Sequence, residues 1–284
     1  MKFMADNRTT ALAPVQAMVS EIEDIARKAG EMALAHFHSL ATLQVEKKGH
    51  LDLVTQADRQ VEQFLMTSLI NAFPRDGVFG EEGCDITGSS GRVWVIDPID
   101  GTFNFVRGGQ NWAVSIGLYE NHRPVFGVIY APVRNLMLSG GDGLRTKLNG
   151  NPMMSLPSLD DSQASTGLSW HPSVATDDRL EVMRYIFDEL NFSFRFGGSA
   201  TLSLIEVAMG ETDGYISLGD STWDVMAALP ILANLGASHT IDWHNIGLDA
   251  KLRFACGSEA FLVKVRPLLE RVGGNSSSTG ATHD

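Results

Sequence analysis

The stretch Val93 to Phe105, VWVIDPIDGTFNF, restricts the fold more than any other part of the chain. It opens with a continuous apolar run, Val93-Trp94-Val95-Ile96, rich in β-formers and too short for a typical helix, so it reads as a buried strand. Polarity then changes abruptly. Asp97 and Asp100 flank Pro98 and Ile99, and because proline fixes φ and removes a ladder donor, the pattern predicts that the strand stops at Asp97. Gly101-Thr102 follows as a tight turn whose backbone N–H groups could open a helix and hold a phosphate oxygen. Two carboxylates leaving one strand end repel each other unless a cation lies between them. The donors in reach are hard oxygens, including the Ile99 carbonyl, with no His or Cys, which favours Mg²⁺ or Mn²⁺ over Zn²⁺. The same residues also fit a buried strand ending in a proline turn, with Asp100 capping the next helix. Taken alone, the stretch leaves both readings open.

The rest of the chain narrows the choice. At 284 residues and 30.8 kDa it can bury one large core or two smaller ones. A formal net charge of -12, with a pI near 5.1, speaks against a nucleic-acid or anionic-membrane surface, since such surfaces need clustered Lys and Arg. A small anionic substrate remains compatible, because a bound metal inverts the local field. Cys84 and Cys256 have no metal-type spacing and read as two free thiols in a reducing compartment. The opening MKFMADNRTT has no apolar signal core and no run is long enough to span a bilayer, so the expected location is the cytoplasm.

Apolar residues recur at helical spacing from Pro14 to about Leu40, which predicts an amphipathic helix. Next come a short strand from Gln44, a polar loop, and a second helix through Val61, Leu65 and Leu69, with Pro74 just past its end. Asp58 lies in that helix's first turn, where a surface acid complementing the dipole is the ordinary role. Val78-Phe79 leads into Gly80-Glu81-Glu82-Gly83, and Glu81 on a strand end beside Asp97 would complete a carboxylate cluster. Trp112 to Leu138 alternates like a hairpin, with Asn121-His122-Arg123-Pro124 as the loop. Leu148 to Asp161 is the best boundary, dividing residues 1–152, an α+β half with an antiparallel sheet, from residues 153–284, an α/β half with a disordered tail from about 273. In the second half, strands are expected at Ser165–Ser169, Phe192–Phe196, Gly214–Leu218 and Leu252–Ala255. Helices are expected at Asp177–Leu190, Ser199–Met209, from Thr222, and at Ser258–Val272. Gly197-Gly198-Ser199 before a helix is a candidate anion or hydroxyl contact, and Pro230 should kink the helix that carries Asp224.

Gly80-Glu81-Glu82, Asp97-Pro98-Ile99-Asp100-Gly101-Thr102 and Trp223-Asp224, in this order and at these separations, resemble the inositol monophosphatase family of metal-dependent phosphatases. The resemblance extends to DLVTQAD at Asp52 to Asp58 and to GSATLSLIEVAMGETDGYI, and covers about Val15 to Arg271. It implies a layered αβαβα sandwich of the inositol monophosphatase and fructose-bisphosphatase type, usually a homodimer and sensitive to lithium. Glu81, Asp97 and the Ile99 carbonyl match a first Mg²⁺ site; Asp97, Asp100 and Asp224 match a second; Glu81 also matches a weaker third. Asp58 and Thr102 match the pair that orients the attacking water, and Lys48, or its neighbour Lys47, matches a loop lysine near the metals. Gly101 and Thr102 would present amides to phosphate. Gly198, Ser199, Ala200, Ser217, Asp100 and Asp224 fall in the substrate-binding set.

Phosphate monoester hydrolysis needs an aimed water and charge stabilisation on the attacking and leaving oxygens, which two metals about 4 Å apart supply without a protein nucleophile. No GxSxG or HExxH is present. Ser217 stands where many inositol phosphatases have a glutamate that binds substrate hydroxyls, and Phe103 replaces a common threonine. The expected reaction is hydrolysis of a small polyol phosphate resembling inositol phosphate. Histidinol phosphate, a sugar or nucleotide bisphosphate, and a non-catalytic regulatory scaffold are the alternatives.

Overall fold

The computed structural model of the chain describes residues 7–40, 45–49 and 52–273. The first part runs α1 (Asn7–Phe37), β1 (Val45–Gly49), β2 (Asp52–Thr55), α2 (Gln56–Ala72), β3 (Gly77–Gly80), β4 (Asp85–Ile86), β5 (Arg92–Asp100) and α3 (Thr102–Val106). A run of strands follows: β6 (Ala113–Glu120), β7 (Arg123–Ala131), β8 (Leu136–Gly141), β9 (Leu144–Leu148) and β10 (Asn151–Pro152). Then come β11 (Ser165–Trp170), α4 (Thr176–Tyr185) with a π-helical end at Ile186–Leu190, β12 (Ser193–Arg195) and α5 (Ala200–Ala208). The chain closes with β13 (Gly214–Ser221), α6 (Thr222–Val225), α7 (Ala228–Ala233), β14 (Ser238–His239), β15 (Lys251–Gly257) and α8 (Glu259–Gly273). The side chains of Lys47 and Lys48 and the tail after Gly273 lie outside the described residues.

An eight-stranded sheet in the order β10-β9-β8-β7-β6-β5-β3-β4 is antiparallel except where β3 runs parallel to β5. A five-stranded sheet in the order β12-β11-β13-β15-β14 is parallel across β12-β11-β13 and antiparallel beyond. Helices α1 and α2 cover one face of the large sheet, α5 and α7 fill the space between the sheets, and α4 and α8 close the far side. The result is an αβαβα sandwich. Strand β5 shows how the sequence specifies these layers: Trp94 and Ile96 enter the core beneath α1 and α2, while Val95 enters the core between the sheets. By that alternation Asp97 follows Val95 towards the middle layer. The turn joining α6 to α7 lies directly on the large sheet, so closely that a Cβ on Gly127 would meet the Ala227 carbonyl oxygen at 2.0 Å. This contact carries Asp224 to β5.

Three expectations are corrected by local geometry. Strand β5 does not stop at Asp97 but runs through Pro98 to Asp100. Asp97 pairs with Ser115 and Asp100 with Ala113, so the register slips there, and the proline's missing N–H falls in a bulge where the ladder needs none. The hairpin loop is Asn121-His122 alone, with φ of 52° and 61°, the backbone of a two-residue turn, and Arg123 and Pro124 belong to β7. The long helix expected after Asp177 ends at Tyr185 in regular form and finishes as a π-helix. The expected interruption near Pro230 is present: α6 and α7 part around Met226, whose carbonyl Pro230 has no N–H to satisfy. Cys84 and Cys256 are buried free thiols. Among the described residues no helix is long and apolar enough to cross a membrane.

Candidate active site

Three segments deliver four carboxylates to one cavity. Gly80 lies opposite Ile96 in the parallel β3–β5 pair, so Glu81 emerges beside Asp97 at the same sheet edge. Asp97 turns back on its own bulge, its Oδ1 accepting from the Ile99 N–H at 3.0 Å. Asp100 is held from the other half of the chain, where Ser199 Oγ and the Thr201 N–H donate to its Oδ2 at 2.5 and 2.7 Å. Asp224 sits in the first turn of α6, its Oδ2 accepting from the Ser221 N–H at 2.6 Å in a capping box. Thr201 Oγ1 donates to the Asp224 carbonyl at 2.9 Å, tying α5 to the same turn.

One carboxylate oxygen from each of Asp97, Asp100 and Asp224 lies within 4.8 Å of the other two. Asp97 Oδ2 is buried and has no hydrogen-bond donor among the described residues. Burial pushes the Asp97 carboxyl well above its ordinary range, and the charges of Glu81, Asp100 and Asp224 push it further. Asp224 is raised well above the usual range by burial first, then by Asp220, Asp100 and Glu81. Asp100 is pushed up to about 6 by burial, against the lowering effect of its bonds from Ser199 and Thr201. Acceptors facing acceptors in a buried place fit a hard divalent cation, and the donor set here is oxygen alone. The trio matches the expected second metal set, while Glu81 and Ile99 line the same cavity just beside it.

Asp58 and Thr102, the pair expected to orient a water, also meet. Asp58 is fully buried at the start of α2, its Oδ2 accepting from the Thr55 N–H and hydroxyl at 2.8 and 2.6 Å. Its other oxygen accepts from Thr102 Oγ1 at 3.1 Å, and the same hydroxyl lies 3.0 Å from the Ile99 carbonyl. Asp58 therefore caps its helix and reaches the site at once, so the ordinary role does not exclude the one the resemblance implies. Burial raises its pKa, against the bonds from Thr55 and Thr102. Gly101, at φ 91°, opens α3 with no side-chain cap on the first amides, and a Cβ there would meet the Asn111 carbonyl oxygen at 2.5 Å.

The cavity holds about 540 Å³. Gly101, Thr102, Gly198, Ser199 and Ala200 line it, as expected from the sequence. Ser217 does not: it is fully buried in β13, and its hydroxyl accepts from the Asp220 N–H at 3.2 Å. A register slip after Leu218 brings Asp220 to the wall instead, its carboxylate held by Ser169 Oγ at 2.8 Å and Tyr215 OH at 2.6 Å. Trp170, Arg179, Phe196 and Lys251 line the remaining wall, and none was singled out from sequence. Glu62 was also missed. From α2 it accepts from the Glu82 and Cys84 N–H groups at 2.7 and 3.0 Å, fixing the turn that presents Glu81.

Comparison with known proteins gives a consistent result. The model of the inositol monophosphatase family matches residues 15–259. A protein of Xylella fastidiosa named Nus factor SuhB is 32% identical over 252 residues, covering 87% of this chain and 90% of its own. An inositol-1-monophosphatase of Bacillus subtilis is 31% identical, covering 78% of this chain and 85% of its own. Among solved structures, the extragenic suppressor protein suhB of Bartonella henselae superposes with a TM-score of 0.81 at 28% identity, covering 90% of this chain and 99% of that one. An IMPase of Thermotoga maritima gives 0.76 at 27%, covering 91% and 98%.

Proposed function

The chain belongs to the inositol monophosphatase family, and from that premise we propose that it is a Mg²⁺-dependent phosphomonoesterase acting on a small phosphorylated alcohol. The observation that carries this reading is the trio of buried Asp97 and Asp100 with half-buried Asp224, in which Asp97 Oδ2 has no donor among the described residues, beside the Asp58–Thr102 pair. Asp97, Asp100 and Asp224, with Glu81 and the Ile99 carbonyl alongside, would hold the cations. Bound there, a divalent cation acidifies the attacking water and takes up charge on the phosphate and the leaving oxygen.

The chain's own residues supply the rest. Thr102 Oγ1 has one proton and two acceptors in reach, Asp58 and the Ile99 carbonyl; with that carbonyl taken up by a cation the proton would go to Asp58, leaving the hydroxyl's lone pairs free to accept from a water and fix its orientation. Asp58, anchored by Thr55, prevents the hydroxyl from turning away. The uncapped amides that follow Gly101 are available to phosphate oxygens. Ser199 and Thr201 keep Asp100 aimed at the trio rather than at solvent. Mn²⁺ would substitute through the same oxygen ligands. A homodimer forms part of the same proposal, for which the open edge strand β12, with exposed Phe194, offers a surface.

Phosphate release tests the reading, measured over inositol phosphate, histidinol phosphate, sugar phosphates and a nucleotide bisphosphate with Mg²⁺ and then with excess chelator. Metal-dependent turnover of at least one of them is expected. Turnover of none, or turnover that survives the chelator, sinks it. The Nus-factor names of several relatives favour a second reading, a regulatory protein on the same fold. An inactive chain that still binds Mg²⁺ would select it.

A further inference from the structure

The cavity lining joins the carboxylates to a second set of residues of different chemistry, Arg179, Lys251, Trp170 and Phe196. Most described arginines are paired with an acid, as Arg92 is with Asp76 and Arg195 with Glu211. Arg179 is not, even though Asp177 and Asp178 precede it; Asp178 is taken by Arg253 at 2.8 Å. Arg179 Nη2 donates to the neutral hydroxyl of Thr176 at 3.1 Å, and its buried Nε has no partner among the described residues. Lys251 likewise forms no ion pair there. Its Nζ donates to Ser221 Oγ at 2.6 Å and stands 5.8 Å from the Trp223 ring centroid. Asp220 is close enough to feel the lysine's charge, yet both its oxygens are engaged by hydroxyls. In the same lining, Trp170 and Phe196 form an aromatic pair with ring centroids 4.6 Å apart, although Phe196 is 49% exposed.

A half-buried guanidinium in a cavity lining, answered by no acid among the described residues, is arranged to receive an oxyanion. A neutral polyol would leave its charge and that of the lysine unanswered. The phosphate that reacts belongs at the carboxylate trio. We propose that the preferred substrate carries a second anionic group, a carboxylate or another phosphate, on its leaving alcohol, received by Arg179 and Lys251 while Trp170 and Phe196 cover the carbon skeleton. This assignment rests on the phosphomonoesterase reading and narrows its substrate class.

Matched substrates test it, each pair differing in the second anion: glycerol phosphate against phosphoglycerate, and fructose monophosphate against fructose bisphosphate. In at least one pair kcat/KM is higher for the doubly anionic member by about tenfold or more, the scale of one bond to a charged group, mainly through KM. The pair that responds tells carboxylate from phosphate. Arg179→Gln brings the ratio towards one, and Arg179→Lys, which keeps the charge, retains part of it. A wild-type ratio of about one in both pairs, or a ratio that persists in Arg179→Gln and in Lys251→Gln, overturns the proposal.

A measurement without turnover separates this failure from failure of the phosphatase reading. Calorimetric titration in Mg²⁺ compares phosphonopropionate with propylphosphonate. Tighter binding of the former by about tenfold, lost in Arg179→Gln, supports the cationic wall even in a chain that hydrolyses nothing. Equal binding overturns it even in an active phosphatase.

Discussion

The two ends of strand β5 both bury acid, and they treat it differently. At the start, Asp76 is 4% exposed and fully answered: Arg92 donates to its Oδ1 from Nε and Nη2 at 3.1 and 3.0 Å, and the Trp94 indole donates to Oδ2 at 3.1 Å. At the end, Asp97 is 1% exposed, keeps one oxygen without a donor, and faces three further carboxylates. The first end contains its own cation; the second depends on one from outside. A buried carboxylate is therefore informative less for its burial than for whether the fold has already supplied its partners.

Exchanging the acids is the sharpest way to break this contrast. Asp97→Asn is expected to lower kcat/KM by at least about 100-fold, beyond the range typical of residues that merely support a ligand. The same change should leave the melting temperature of the chelator-treated protein equal or higher, since it removes a buried charge among like charges. Activity within a fewfold of wild type would break the assignment. Asp76→Asn should do the reverse. It weakens the Arg92 pair and puts an amide donor in place of an acceptor, so urea unfolding should show a loss of about 2–3 kcal/mol while the Mg²⁺ dependence of turnover stays as it was. A change in metal affinity with no loss of stability would erase the distinction.

The contrast was half legible in the sequence. Asp97, Asp100, Glu81 and Asp224 stood out because each follows an apolar run or a turn at a spacing that local rules can read, and the order of the motifs matched a family. Asp76, lying just after Pro74, gave no such signal, since its partners Arg92 and Trp94 are fixed by the pairing of β3 with β5 and not by any local pattern. Glu62 was invisible for the same reason: it is an ordinary helix glutamate until the fold brings two N–H groups to it. Proline's rule failed at Pro98 because a bulge absorbed the missing donor, and a second register slip in β13 put Asp220, not Ser217, on the cavity wall. Layers and motifs were readable; register irregularities, which decide where side chains point, were not.

Glu62→Gln tests how much the acidic end relies on its supports. Glutamine has one carbonyl oxygen to offer, whereas Glu62 now accepts from Glu82 and Cys84 with separate oxygens, so one N–H loses its acceptor and the turn carrying Glu81 loosens. Mg²⁺ affinity should fall about tenfold, the lower end of the effect of outer supports. Calorimetric titration of Mg²⁺ checks it; unchanged affinity would mean that the turn holds itself.

The last expected effect concerns pH. In metal-free protein Asp100 holds its proton up to about 6, whereas in the unfolded chain it lets go near the ordinary aspartate value of 3.8. Between those values the unfolded state binds fewer protons than the folded one, so stability is fully present below the lower value and declines as pH rises through the upper. The slope is about 1.4 kcal/mol per pH unit for one such group. Asp97 and Asp224, raised further, extend the decline upwards. Magnesium favours the ionised forms and should flatten or reverse the trend. Urea midpoints measured across this range, with chelator and then with Mg²⁺, check it. Stability that climbs with pH in chelator would mean that the acidic cluster already holds the positive charge it needs.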